Sequence, residues 1–225
     1  MNVLVTGTNR GLGKYISQQY KNCEKFTRNT NLNDYKDFKF DLIIHCAANV
    51  SHYDWDNVPA QFFNDNINLT DSLVNLNTSK FIYISSIDQK KNSPYGISKR
   101  ISECIVKDTC EDYLILRPSG LLGKEMKKNT FQKILNNETI VLTKDSVMNY
   151  TTYEDVLNVI QSGKSGTINL CANEDITMKR LVTVLDKNVN FGNIYFNIES
   201  VESDYDIKKT SEDNVLQFVR SLDEE

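Results

Sequence analysis

Val3-Leu4-Val5-Thr6-Gly7-Thr8-Asn9-Arg10-Gly11-Leu12-Gly13 joins an apolar run to a glycine-rich turn, and a helical pattern follows over 11–21. A strand, then glycines, then a helix is the context that a dinucleotide-binding turn requires. Gly7 permits a tight turn out of the strand. Gly11 and Gly13 lack the Cβ atoms that would block a diphosphate or the packed helix, whose amides face the phosphates. The spacing is Gly-x-x-x-Gly-x-Gly, and an ordinary strand–helix turn is the plain alternative. On the first reading Gly7, Thr8, Asn9, Arg10, Gly11, Leu12 and Gly13 cradle a cofactor.

Outward from that turn, short apolar runs alternate with helical patterns. Strands are expected at 2–6, 24–28, 41–45, 80–86 and 113–117, and helices at 11–21, 59–77 and 94–108. The continuous runs Asp41-Leu42-Ile43-Ile44-His45 and Phe81-Ile82-Tyr83-Ile84 suit strands buried on both faces, as in a parallel sheet covered by helices. The expected fold is therefore α/β, a Rossmann-type doubly wound parallel sheet. The link 29–40 is too short and polar for a crossover helix and is read as irregular.

After Pro118 the character changes. An amphipathic segment at 129–137 precedes a strand at 139–142, a helix at 153–161, a strand at 167–170, a helix at 177–186, a strand at 193–198 and a helix at 211–222. The expectation is a dinucleotide-binding core of residues 1–122 to which 150–172 return, with 123–149 and 173–225 forming a small C-terminal substrate-binding lobe.

Composition narrows the class. The chain has 225 residues, 40% apolar and 25% charged, ordinary for a globular protein. A net charge of −4 gives no reason to expect nucleic acid or an anionic membrane as partner. No apolar run approaches a membrane span, and Met1 leads into a strand-like segment rather than a signal peptide. The five cysteines are scattered without a Cys-x-x-Cys pair, which argues for reduced thiols in a cytoplasm and against a disulfide framework or a metal site.

Cofactor choice rests on the end of the second strand, where a carboxylate would hold a ribose 2′-hydroxyl and an arginine a 2′-phosphate. The segment reads Phe26-Thr27-Arg28-Asn29, without a carboxylate, and Arg10 lies inside the turn. Both arginines offer paired donors to a phosphate. NADP is the reading, with NAD as the alternative if both are merely solvated.

The chemistry resides in Ser86 and in Tyr95-Gly96-Ile97-Ser98-Lys99. Ser93 can cap a helix that Pro94 begins, so Tyr95 and Lys99 share one helix face. Ser86 closes a central strand, where sites of open α/β sheets lie. A free phenol titrates near pH 10, about three units too high for a base at neutrality. A neighbouring ammonium and a cationic nicotinamide ring would lower it. Ser86 would donate to a substrate oxygen where charge develops.

The ordered set resembles the short-chain dehydrogenase/reductase superfamily, and within it the extended epimerase/dehydratase branch that modifies nucleotide sugars. Its pieces are the glycine turn, Asp41 to Ala48, Asn66-Ile67-Asn68-Leu69-Thr70, Ile82 to Ser86, Tyr95 to Lys99, Leu116-Arg117-Pro118-Ser119-Gly120-Leu121-Leu122-Gly123, Tyr153 to Val156 and Gly166 to Leu170. The resemblance implies Tyr95 as general acid/base, Lys99 on the nicotinamide ribose and Ser86 on the substrate carbonyl. It implies that Cys46, Ala47, Ala48 and Pro118 line the cofactor cleft, and that Asn66 supports the active helix. It places Asn129 where relatives bind the nucleotide diphosphate, with Lys127 and Lys128 close by. Two chains pairing through 59–77 and 94–108 is an assembly the resemblance allows.

Departures refine this. Only nine residues separate Ser86 from Tyr95, so the loop over the substrate is trimmed, yet nine residues still span about 30 Å. Dehydratases of the branch carry an Asp-Glu pair after the hydroxyl residue, whereas Ile87-Asp88 follows Ser86 here. His45 ends a buried strand and reads as a satisfied core residue. His52 reads as part of a loop over the substrate. Reduction of a keto group on a nucleotide-linked sugar is the first reading, and a 4-epimerase with tightly held NAD is the second. A non-catalytic nucleotide-binding protein is the third.

Overall fold

The structure, a computed structural model, describes residues 1–223. In chain order the elements are β1 (Val3–Thr6), α1 (Gly11–Ser17), β2 (Cys23–Phe26), β3 (Leu42–His45), α2 (His52–Asn57), α3 (Pro59–Phe63), α4 (Leu69–Val74), β4 (Phe81–Ile84), α5 (Pro94–Thr109), β5 (Tyr113–Pro118), β6 (Gly120–Leu122), α6 (Thr130–Leu135), β7 (Val147–Met148), β8 (Tyr150–Thr152), α7 (Tyr153–Gln161), β9 (Gly166–Leu170), β10 (Ile176–Thr177), α8 (Met178–Val184) and α9 (Ser211–Asp223). The chain divides into two compact units, Met1–Arg117 with Leu157–Ile168, and Pro118–Val156 with the residues from Asn169 onward.

The first unit carries a sheet in the order β2-β1-β3-β4-β5-β9, with every pairing from β2 through β5 parallel. The order reverses between β1 and β3, and that switch point is where open α/β sheets bind ligands. The strands β1, β3 and β4 are buried at every position, as their unbroken apolar runs require. Leu4, Ile43, Leu73, Phe81, Val106 and Ile115 form the centre of the core. Each such side chain contributes about 1.5–3 kcal/mol by leaving water. The link 29–40, expected to be irregular, holds a 3₁₀ turn at Leu32–Tyr35 that packs the Tyr35 ring against Phe26 and Phe40.

The expected helix over 59–77 is two α-helices joined by a π-helical turn at Asn64–Asn68, and it stops at Val74. The wide turn frees the Asn66 carbonyl, which accepts from the Thr70 hydroxyl at 2.8 Å and the Ser102 hydroxyl at 2.9 Å. The expected loop around His52 is the short helix α2, capped by the Ser51 hydroxyl accepting from the Asp54 amide.

The second unit is built from short pairings, β6 with β8 in parallel and β7 with β10 antiparallel. The strands expected at 139–142 and 193–198 do not form regular ladders. They exchange scattered backbone bonds instead, Ile194 donating to Val141 at 3.1 Å and Gly192 to Leu142 at 3.0 Å. The backbones run so close that a Cβ on Gly192 would stand 2.3 Å from the Val141 oxygen. A Thr210–Asp213 capping pair begins α9.

Candidate functional site

β1 delivers the chain into the glycine turn at the switch point. Gly7 has φ +73° and Gly11 φ +61°, a region that side chains with a Cβ avoid. A Cβ on Gly7 would stand 3.0 Å from the Ala47 amide, and one on Gly13 2.4 Å from the Gly7 oxygen. The turn, the start of α1 and the segment after β3 therefore close on each other by backbone contact alone. Thr8 is buried, Leu12 half-buried, and Asn9 and Arg10 are exposed. These residues fit the dinucleotide cradle that the spacing suggests.

Arg28 lies just past β2, where an arginine for a 2′-phosphate is expected, and its guanidinium is mostly exposed. It donates to Asp65 at 3.0 Å, an exposed pair worth at most about 1 kcal/mol. The same carboxylate oxygen accepts from Asn49 Nδ2 at 3.0 Å.

Cys46, Ala47 and Ala48 follow β3 directly, and a buried polar chain sets their path. The Thr6 hydroxyl accepts from the amides of Cys46 at 3.1 Å and Ala47 at 3.0 Å. Its own proton therefore goes to His45 Nδ1, 2.7 Å away. His45 Nε2 then donates to the Thr70 hydroxyl at 3.1 Å. Burial first, and the Lys99 ammonium second, hold the imidazole neutral with its pKa lowered to about 3. Asn66 completes the frame, its Oδ1 accepting from the Asn49 amide at 2.8 Å and its Nδ2 donating to the Asn49 carbonyl at 2.9 Å.

Ser86, Tyr95 and Lys99 come together at the end of β4. The Ser86 hydroxyl accepts from the Asp88 amide at 3.1 Å and is hydrogen-bonded to the Tyr95 phenol. The nine-residue link folds into a 3₁₀ turn, Ile87–Lys90, and then α5 begins at Pro94 with the Ser93 hydroxyl accepting from Gly96. Lys99 is buried and donates to the Ile84 carbonyl at 2.8 Å. Its Nζ stands 4.7 Å from the Tyr83 ring centroid and 5.6 Å from that of Tyr95.

The phenol does not follow the expected direction. Burial pushes the Tyr95 pKa above its usual value, the Asp88 carboxylate adds to that, and the Ser86 hydrogen bond opposes it. Lys99 does not offset this: its ammonium is directed at Ile84, and its own pKa falls to about 8 through burial, with Cys46 and Glu103 opposing. The protein without ligand therefore holds Tyr95 as a protonated acid. Burial likewise pushes the Cys46 thiol up to about 12, so it stays neutral.

Pro118 and Asn129 belong to the second unit. Pro118 ends β5, and Asn129 caps α6, its Oδ1 accepting from the Gln132 amide at 3.1 Å. Lys128 pairs with Glu138 at 2.9 Å. His52 is the first residue of α2, and its side chain lies outside the described residues. Sequence reasoning did not single out Asp88, Tyr83 or Arg100. Arg100 is betrayed only by its place beside Lys99, and Tyr83 by a phenol inside a strand that is otherwise wholly apolar. Among the described residues no group of three or more His, Cys, Asp or Glu side chains is placed to hold a metal ion, and no helix is long and apolar enough to cross a membrane.

A sequence model described as the NAD dependent epimerase/dehydratase family matches residues 17–158. No curated protein matches the sequence. Among solved structures the chain is similar to a dTDP-4-dehydrorhamnose reductase from Bacillus anthracis in complex with NADP. The identity is 18%, with 98% of this chain and 100% of that one covered and a TM-score of 0.80. It is also similar to a UDP-glucuronic acid 4-epimerase from Bacillus cereus in complex with NAD, at 16% identity, with 99% of this chain and 99% of that one covered and a TM-score of 0.76. A third, RMD from Pseudomonas aeruginosa complexed with NADPH, is 15% identical over 98% of this chain and 99% of its own, with a TM-score of 0.77. At such identities the likeness speaks for the fold.

Proposed function

The chain belongs to the NAD dependent epimerase/dehydratase family, and on that footing we propose that it is an NAD(P)-dependent oxidoreductase that reduces a keto group of a nucleotide-linked sugar. The observation that carries the reading is the meeting of Ser86, Tyr95 and Lys99 at the end of β4, with Ile87-Asp88 rather than an Asp-Glu pair following Ser86. A reduction needs a proton donor at the carbonyl oxygen, which a phenol is at neutral pH, and a dehydration would call for the carboxylate pair that the sequence lacks after Ser86. When bound at the glycine turn, the dinucleotide supplies or accepts a hydride. Ser86 donates a hydrogen bond to the carbonyl oxygen and Tyr95 gives it a proton as charge develops there. The Lys99 ammonium beside the phenol steadies the resulting phenolate. NADP is the preferred cofactor in this reading, supported by Arg10 and Arg28 and the absence of a carboxylate after β2. The exposed Ile97 and Ile101 on α5 support pairing of two chains through that helix, and scattered free cysteines support a cytoplasmic setting.

Turnover of a panel of keto nucleotide sugars with NADPH, by wild type and Tyr95→Phe, tests the assignment. The variant is expected to lose about 10²- to 10⁴-fold in turnover and keep its NADPH affinity. Equal turnover by both proteins overturns the role of Tyr95. Stoichiometric NAD released on denaturation, together with epimerisation and no net reduction, overturns the reductase reading.

A further inference from the structure

Among the described residues Lys99 has no carboxylate within ion-pairing distance, and it is nevertheless buried. What surrounds it is the Ile84 carbonyl at 2.8 Å and two phenol rings, that of Tyr83 being the nearer. The titratable groups around it are Tyr83 from β4, His45 and Cys46 at the end of β3, and Tyr95 and Glu103 on its own helix. Glu103 is spoken for: it accepts from Ser85 at 2.6 Å and from Arg117 Nε at 2.8 Å. His45 is neutral and its ring lies 5.5 Å from that of Tyr83. Tyr83 is 1% exposed and its hydroxyl is hydrogen-bonded to Ser102, so the ring cannot swing away.

We propose that Tyr83 is a positioning residue for Lys99, its ring face serving with the Ile84 carbonyl as the seat that holds the ammonium beside Tyr95. An aromatic face attracts a cation through its quadrupole, and the attraction grows when water is excluded. The ring takes the place of a counter-ion. A carboxylate at that point would hold the ammonium more tightly but would also repel the phenolate formed when Tyr95 gives up its proton. An uncharged ring does not. The importance of this seat for turnover rests on the reductase reading, but its existence does not.

The test therefore uses neither substrate nor cofactor. The full chain carrying ¹³C-lysine is titrated by NMR, and the Lys99 resonance is identified by its loss in Lys99→Met. In wild type the midpoint is expected at about 8. Tyr83→Leu should lower it by about one pH unit, because the charged form loses its partner, while Tyr83→Phe, which keeps the face, should stay close to wild type. An unchanged or raised midpoint in Tyr83→Leu overturns the proposal. So does an equal fall in Tyr83→Phe, which would assign the effect to the hydroxyl. If Tyr83→Leu fails to fold, the wild-type spectrum decides. Protons of the Lys99 methylene next to the amine should resonate upfield of those of the other lysines through ring currents, and a position among the exposed lysines overturns the seat.

Discussion

Arg100 donates to the Lys91 carbonyl at 3.0 Å, so the helix that carries Tyr95 also grips the loop that leads to it. The same guanidinium donates to the Gln89 carbonyl and, at 3.4 Å, to Asn92 Oδ1. Gly96 lies under that loop, where a Cβ would stand 2.4 Å from the Lys91 oxygen and 2.6 Å from the Asp88 oxygen. The Asp88–Lys91 ion pair, at 2.7 Å, closes the loop on itself. A link that is short for its branch is thus pinned rather than slack, and it hands Ser86 and Tyr95 to each other in a fixed relation.

Arg100→Met should release that link. The orphaned carbonyls cost about 1–3 kcal/mol, read as a lower urea midpoint. Turnover should fall by about 10- to 100-fold through misplacement of Tyr95, with NADPH affinity retained. A variant that binds and turns over like wild type would show the grip to be idle.

Gly13→Ala addresses the cofactor cradle. The new methyl meets the Gly7 oxygen at 2.4 Å and the Thr6 oxygen at 2.7 Å, both backbone atoms that cannot swing aside. The turn must open, and NADPH affinity measured by fluorescence titration should drop by at least about tenfold, with a stability loss of about 1–3 kcal/mol. Unaltered affinity would mean that the turn does not hold the dinucleotide.

His45 makes the fold acid-sensitive. Its imidazole titrates at about 3 in the folded protein against 6.5 in the unfolded chain, so between those values the unfolded state binds one more proton. Stability is then fully present above pH 6.5 and is lost as pH falls toward 3, at about 1.4 kcal/mol per pH unit. His45→Gln, weaker at neutrality through the lost polar chain, should lack this slope. Denaturant melts of both proteins across pH 4–6 compare the two, and parallel curves would contradict the buried neutral imidazole.

How much of this was readable beforehand follows from the range of the interactions. The parallel sheet was legible because Leu42-Ile43-Ile44 and Phe81-Ile82-Tyr83-Ile84 are buried on both faces, and a local apolar run reports that directly. The start of α5 was legible because Ser93 and Pro94 are local signals. The π turn at Asn64–Asn68 was not, because it answers to Ser102, 36 residues away. The segments at 139–142 and 193–198 have strand composition, yet they meet only through scattered backbone bonds between residues far apart in the chain, which no local pattern encodes. In the candidate site, the spacing of Tyr95 and Lys99 announced proximity. It did not announce that the lysine would point to Ile84 and leave the phenol protonated, since that depends on burial by neighbouring strands.

Lys99 itself should weaken the fold that it serves. Its amine titrates at about 8 when folded and at 10.5 when unfolded, so between these values the unfolded state again binds the extra proton. Stability therefore rises with pH across that window, and below pH 8 the protein carries the whole cost of a buried ammonium. Lys99→Met removes the charge while filling the space. At pH 7 the variant should be more stable than wild type by roughly 1–3 kcal/mol, or about 2–4 °C in Tm for each kcal/mol, and inactive. The excess should shrink as pH rises from 8 to 10.5, where wild type also becomes neutral. Calorimetry of both proteins at pH 7 and 10 gives the answer. A variant that is weaker at pH 7, or a gap that does not narrow, would mean that Tyr83 and Ile84 compensate the ammonium fully and that burial costs it nothing.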